Sequence, residues 1–223
     1  MKLAIFDFDG TLVPKDTLPF VLRQWKKQKY SKVKYYKTNL SMVFLYIRYK
    51  LGINLNMTPE EIRSEAVKKF NCILEGMKEE EIDKFFYNCS EDIKMLLDKN
   101  IISEVEKCRS AGYHTVLLSG AHYNLLKYVG DYLKFDTVIG TQLNFSNNIL
   151  DSDKEVEVIS GGAKKKKILE YFHNQPIDWN ISRAYADSYS DLELLELTGQ
   201  PIAVKPDKKL KAIAIEKNWK IIN

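Results

Sequence analysis

Leu3-Ala4-Ile5-Phe6 runs without a break into Asp7-Phe8-Asp9-Gly10-Thr11, and this junction constrains the fold more than any other stretch. Four consecutive apolar residues bounded by a turn suit a short strand buried on both faces, as in a parallel sheet covered by helices. The chain then presents two carboxylates two positions apart, and Gly10 can take the φ > 0 geometry of a tight turn. In a parallel sheet such a strand ends in the crevice where ligands bind. Side chains alternate along a strand, so Asp7 and Asp9 would share a face, one at the strand tip and one in the turn. Two acids that close repel each other, and a cation relieves the repulsion. The simplest chemistry needing such a pair is a nucleophilic carboxylate, a nearby proton donor and a divalent metal.

Beyond Pro14 the pattern changes to helical spacing. Asp16 or Thr17 can cap a helix with Pro19 in its first turn, and Leu18, Val21, Leu22 and Trp25 then share one face. A second helix is predicted over Ser31 to Leu51, with Leu40, Val43, Phe44 and Ile47 inward. Thr58-Pro59-Glu60-Glu61 is an N-cap with Pro at the first helical position and acids in the first turn, opening a helix carried by Ile62, Ala66, Phe70 and Ile73. Glu79 to Leu97 supplies a fourth, through Ile82, Phe85, Phe86 and Ile93. From Ile101 helices and strands alternate. Strands are predicted at Tyr113–Leu118, Thr137–Ile139, Ala184–Ala186, Ile202–Val204 and Trp219–Ile222, and a β-hairpin over Gln142–Val158 turning at Ser146-Asn147-Asn148. This order reads as an α/β fold, a doubly wound Rossmann-like parallel sheet with an inserted α-helical bundle. Residues 1–13 and 96–223 form the α/β core, and 14–95 the helical insert.

The chain of 223 residues, 45% hydrophobic and 29% charged, is long enough to bury such a core without disulfides. Cys72, Cys89 and Cys108 are scattered, with no CxxC spacing, and read as reduced thiols. Met1 leads straight into the first strand, leaving no room for a signal peptide, and no apolar run reaches the roughly 20 residues of a membrane span. The expected location is cytoplasmic. Charge is unevenly distributed. Between Thr17 and Pro59 there is no acidic residue, while Arg23, Lys26, Lys27, Lys29, Lys32, Lys34, Lys37, Arg48 and Lys50 all fall there.

Three predicted strands end in polar residues: Asp7 with Asp9, then Ser119, then Asp187. A parallel sheet lines those ends along one edge. Asp187-Ser188-Tyr189-Ser190-Asp191 adds carboxylates four positions apart, so that Asp7, Asp187 and Asp191 can supply the hard oxygen ligands of Mg²⁺. Gly162-Ala163-Lys164-Lys165-Lys166-Lys167 places positive charge at a helix start, where anions are favoured. Lys165, one turn before Ile168 and Leu169, is the expected phosphate contact, with Lys164 second. Ser119 and the Gly120 amide are natural phosphate donors.

Together these segments resemble the haloacid dehalogenase (HAD) superfamily, specifically its phosphoserine phosphatase-like branch (subfamily IB) with a helical C1-type cap. The resemblance rests on DFDGT at Asp7 to Thr11, LLSG at Leu117 to Gly120, GxxK at Gly162 to Lys165 and DSYSD at Asp187 to Asp191, supported by Val204-Lys205-Pro206-Asp207 and Trp219-Lys220-Ile221-Ile222. It implies a Mg²⁺-dependent phosphatase. Asp7 would be the nucleophile that forms an aspartyl-phosphate, and Asp9 the acid and base. Ser119, Gly120, Lys165 and Thr11 would hold the phosphoryl group. Asp7, the Asp9 backbone carbonyl, Asp187 and Asp191 would hold the metal. Ala186 departs from the family pattern, standing where Gly is frequent.

The substrate would be a small phosphorylated metabolite. The alternatives are a lipid-headgroup phosphatase working at an anionic membrane surface and a non-catalytic phosphate-binding protein. The basic insert is also aromatic, through Phe20, Trp25, Tyr30, Tyr35, Tyr36, Phe44, Tyr46 and Tyr49. It reads as a solvated basic face over an aromatic core, as a basic mouth for a small anion, or as contact with anionic lipid through Leu40–Leu51. Nucleic acid is not expected as a partner, since a deep carboxylate site suits small esters. Oligomeric state is not legible.

Overall fold

A computed structural model describes residues 1–53 and 57–223. The strand β1 (Leu3–Phe6) is buried along its whole length. It is flanked in parallel by β2 (His114–His122) and β6 (Arg183–Ala186). With β3 (Thr137–Thr141), β7 (Gln200–Val204) and β8 (Lys220–Ile222) they form a six-stranded parallel sheet in the order β3-β2-β1-β6-β7-β8. Sequence order reverses between β1 and β6, the position where an open α/β sheet forms its ligand crevice.

Both faces of the sheet are buried, which is why LAIF shows no polar alternation. Leu3 and Ile5 join Val116, Leu118, Ala184 and Ala203 in a core beneath α7 (Gly162–Tyr171), α8 (Leu192–Glu196) and α9 (Lys208–Glu216). Ala4 and Phe6 point the other way, where the Phe6 ring stacks on Tyr185 at 4.2 Å. That second core takes in α5 (Lys99–Ser110) and α6 (Tyr123–Leu133) and continues into the helices inserted after β1.

Four helices fill the insert: α1 (Thr17–Lys27), α2 (Lys32–Lys50), α3 (Pro59–Leu74) and α4 (Glu79–Lys94). Asp16, rather than Thr17, caps α1 by accepting from the Leu18 N–H at 3.0 Å. Thr58 and Glu61 complete a reciprocal capping box at the start of α3. Trp25 anchors the insert's core, stacked on Tyr30 at 4.6 Å and edge-on to Phe85 at 5.6 Å, its indole N–H donating to the Ser31 carbonyl at 2.9 Å.

Two expectations are corrected. The hairpin shrinks to β4 (Phe145–Ser146) and β5 (Ile149–Leu150). Asn147 and Asn148 supply the two positive φ angles of its turn, and the exposed, charged Asp151–Glu157 segment has no strand to join. More consequentially, α2 faces the opposite way from the prediction. Thr38 and Leu45 are its buried residues, with Tyr35 and Met42 packed on the core. Leu40, Val43, Phe44 and Ile47 are exposed. The helix carries apolar residues on two sides, so spacing gives its period but not which side turns inward. No helix among the described residues is long and apolar enough to cross a membrane. The three cysteines are free, Cys89 and Cys108 buried.

Trp25→Ala should lower stability by about 3–5 kcal/mol, the usual cost of emptying a large aromatic site. The check is the urea midpoint; an unchanged midpoint would mean that the insert's core does not depend on this ring.

Candidate active site

The pairing Phe6 with Leu117 and Tyr185 puts the next residues of three strands side by side. Asp7 continues the ladder, its N–H donating to the Tyr185 carbonyl at 2.9 Å. Asp187 follows the end of β6, and Ser119 lies within β2 one step beyond Leu118. The chain after Asp7 turns sharply, with Val13 N–H returning to the Phe8 carbonyl at 2.9 Å. Gly10 sits in that turn at φ +75°, and a Cβ there would lie 2.0 Å from Asp187 Oδ2. Only glycine allows both the backbone conformation and the approach of this carboxylate.

Oxygens of Asp7, Asp187 and Asp191 lie within 4.8 Å of one another. Asp7 and Asp191 are almost wholly buried. Lys164 bridges them, its Nζ 2.7 Å from Asp7 Oδ1 and 2.8 Å from Asp191 Oδ2. The sequence reading puts Lys165 here. Lys164 arrives instead because it lies one turn before Ile168, which is buried, whereas Lys165 is four residues before Leu169, which is exposed. The two positions differ in which apolar neighbour they share a face with.

The charge balance of the cluster is unequal. Burial and the charges of Asp7 and Asp191 push Asp187 up to about 7. Burial raises Asp191 to about 6 despite the attraction of Lys164. For Lys164, burial opposes its charge, but Asp191 and Asp7 outweigh it and hold the ammonium above its ordinary value. Asp191 Oδ1 is buried with no hydrogen-bond partner among the described residues. Three convergent carboxylates, one lysine and an orphaned oxygen fit a hard divalent cation bound through oxygen.

Asp9 is held apart from this cluster. Its Oδ1 accepts from the Thr17 N–H at 2.8 Å, one of the amides that a helix start leaves without an internal acceptor. Its Oδ2 accepts from Arg63 Nη2 at 2.5 Å. Burial nevertheless raises its pKa, opposed by Arg63 and the Thr17 bond and reinforced by Asp16 and Asp7. Arg63, from the first turns of α3, brings the insert to the site, and sequence reasoning missed it. A single Arg among helix-forming residues carries no local signal; only the packing of α3 over the strand ends reveals it.

Thr11 is buried, with a hydroxyl that has no partner among the described residues. Ser119 is buried, its Oγ accepting from the Ala121 N–H at 3.1 Å. A Cβ on Gly120 would meet the Ile159 carbonyl at 2.7 Å. Gly120, Lys164 and Asp191 line a cleft of about 120 Å³ whose opposite wall is Pro59, Glu60 and Arg63 of α3. The arrangement therefore joins a charge-rich floor on the sheet to a wall from the insert.

The profile of the haloacid dehalogenase-like hydrolases matches residues 4–196. Among curated proteins the chain is 26% identical over 111 residues to phosphoserine phosphatase SerB1 of Mycobacterium tuberculosis, covering 50% of this chain and 36% of that one. The chain spans half or less of the length of the curated relatives it matches first. Among solved structures, a Bordetella pertussis protein of unknown function superposes with a TM-score of 0.81 at 20% identity, covering 100% of this chain and 98% of the other. A substrate-bound phosphoserine phosphatase superposes with a TM-score of 0.64 at 19% identity, covering 99% and 92%.

Asp187 and Asp191 have folded-state values above the ordinary carboxylate range. The stabilisation from holding their protons is complete below about pH 4 and is lost as pH rises through about 6 and 7. In chelator the melting temperature should therefore fall from pH 5 to pH 8, and Mg²⁺ should restore more of it at pH 8. Equal Mg²⁺ shifts at the two pH values would contradict the assignment of these carboxylates to a cation site.

Proposed function

The chain belongs to the haloacid dehalogenase-like hydrolase family, and on that premise we propose that it is a phosphomonoester hydrolase, of the phosphoserine phosphatase-like branch, acting on a small phosphorylated molecule through an aspartyl-phosphate on Asp7. The observation that carries the reading is the separation of roles between the two motif carboxylates. Asp7 lies in the charged cluster with Lys164, Asp187 and Asp191. Asp9 sits aside with a raised pKa, gripped by the Thr17 amide and Arg63.

An Asp7 oxygen attacks phosphorus as the ester P–O bond breaks, and the Asp9 carboxyl gives its proton to the departing oxygen. In the second step Asp9, now a carboxylate, takes a proton from water as the water oxygen attacks phosphorus. The bond to Asp7 breaks, releasing phosphate and restoring both carboxyl groups. Burial raises the pKa of Asp9 against the pull of Arg63 and the Thr17 amide, the direction that favours the proton the first step requires. Lys164, the partnerless Thr11 hydroxyl, Ser119 and the Gly120 amide are the groups proposed to meet the phosphoryl oxygens. Lys164 takes the role the sequence reading gave to Lys165.

Asp7, Asp187, Asp191 and the Asp9 carbonyl are the proposed Mg²⁺ ligands. When bound, the cation supplies positive charge against the oxygens of the reacting phosphoryl group. The division into a cap at 14–95 and a core at 1–13 and 96–223, and a cytoplasmic location, belong to the same proposal.

The deciding experiment measures phosphate release from amino-alcohol, sugar, nucleotide and alkyl phosphates with and without Mg²⁺. Asp7→Asn should abolish release, a loss of at least about 10³-fold given how nucleophile removal behaves, with the melting temperature retained. Retained turnover removes Asp7 as nucleophile. Arg63→Ala takes away the charge that opposes burial at Asp9, so its pKa should rise further. The alkaline limb of the kcat/KM profile should move to higher pH. A profile that does not move would detach Asp9 from the acid role.

A further inference from the structure

The inverted α2 helix leaves an apolar face that no element among the described residues covers. Val33, Tyr36, Leu40, Val43 and Ile47 recur three and four residues apart along it, and Phe44 and Leu51 widen the stripe. Leu40 is 71% exposed and Phe44 60%. Buried helix faces elsewhere in the molecule hide residues of this kind, and soluble surfaces seldom gather so many. The flanks are uniformly cationic. Lys29, Lys32, Lys37, Arg48 and Lys50 surround the stripe, and none enters an ion pair among the described residues. Arg48 and Lys50 lie against the Phe44 and Tyr46 rings instead.

This charge decides between occupants. Pairing α2 with α2 of a second copy would bring cations against cations, with no acidic residue on either helix to relieve them. An anionic bilayer meets both features, since apolar and aromatic side chains enter the headgroup boundary while Lys and Arg reach phosphate.

A second observation lies on the inner side of the same helix. A cavity of about 660 Å³ separates α1, α2 and α3, walled by Leu22, Met42, Leu45, Ile62 and Ala66 among others. Val43 and Tyr46 line it and are also exposed, so it opens at the stripe. At its other end Asp16, Leu18 and Arg63 line it and also line the small void that reaches Asp9 and Gly120. The largely apolar cavity thus has Val43 of the exposed stripe at one end and Arg63, the residue that grips Asp9, in its wall at the other. It is of the size and character that holds an apolar ligand body.

We propose that α2 seats the protein on an anionic lipid surface and that the cavity behind it receives the apolar part of an amphiphilic phosphomonoester whose phosphate reaches Asp7. The substrate class rests on the hydrolase reading above; the docking surface does not.

The test uses vesicles of phosphatidylcholine alone and of phosphatidylcholine mixed with phosphatidylglycerol. The wild-type protein should sediment with the mixed vesicles in low salt and less in high salt. Leu40→Glu/Phe44→Glu, at exposed positions, should keep the melting temperature and cut sedimentation by roughly tenfold. Lys37→Gln/Lys50→Gln should weaken it by roughly fivefold per charge, the usual worth of a basic residue at such a surface. Absence of sedimentation, or variants that sediment like the wild type, would overturn the docking surface. A wild-type dimer that Leu40→Glu/Phe44→Glu converts to monomer would assign the stripe to a second copy instead.

For the cavity, the wild-type enzyme should favour dodecyl phosphate in the mixed vesicles over ethyl phosphate in solution by roughly tenfold or more in kcat/KM. That ratio follows from burying even two methylenes of the chain. A preference for ethyl phosphate would remove the cavity assignment and leave the hydrolase reading standing. Release from no ester at all would count against the hydrolase reading, while sedimentation would still decide the docking surface.

Discussion

The contact on which the rest of the site depends is the Lys164 ammonium held between Asp7 and Asp191. Three carboxylates at the ends of two strands and the helix after them would repel one another in a low dielectric without it. The bridge connects distant parts of the chain: β1, the start of α7 and the turn after β6. Burial, reinforced by the neighbouring carboxylates, raises Asp187 and Asp191, and the one lysine among three acids offsets this only in part. Among the described residues Asp191 Oδ1 has no hydrogen-bond partner, so the compensation within the cluster is incomplete.

The insert contributes in a different way. Its helices share one continuous core with a face of the sheet, through Trp25, Phe70 and Phe86 on one side and Phe8 and Leu12 on the other. Arg63 therefore approaches Asp9 from a packed element rather than from a loop. The two carboxylates of one short motif consequently live in different environments. Lys164 faces Asp7 and Arg63 faces Asp9, so the two like groups meet different neighbouring charges. The same helices enclose the apolar cavity, so Arg63, which sets the charge beside Asp9, also stands in the wall of that cavity.

Much of this was readable one segment at a time. LAIF followed by DFDG announced a buried strand, a turn and paired acids, because a strand covered on both faces has no polar alternation and a tight turn needs glycine. The TPEE start of α3, the Asn147-Asn148 turn and the strand leading into Asp187 were local in the same sense, whereas β2 runs past the predicted end at Ser119 to His122. The difficulties began where a choice depended on packing. Lys164 and Lys165 are chemically identical neighbours, and only the burial of Ile168 and exposure of Leu169 separate them. On α2 apolar residues are present on two faces, and the sequence places Leu40, Val43, Phe44 and Ile47 inward. The structure turns Thr38 and Leu45 inward and leaves Leu40 and Phe44 out. Arg63 had no signal at all, since its meaning lies wholly in what α3 is packed against.

By itself, then, the sequence determined the α/β order, the helical insert after the first strand and the acids that gather at the strand ends. All follow from periodicity, turn chemistry and residue type, which act over a few neighbouring residues. Tertiary structure alone decided which lysine bridges the carboxylates, that Arg63 faces Asp9, and that α2 presents its apolar and basic side outward. Those outcomes depend on which surfaces find each other in the folded chain. A helix has the same period whichever way it is turned, and only the neighbours that bury one side select its orientation.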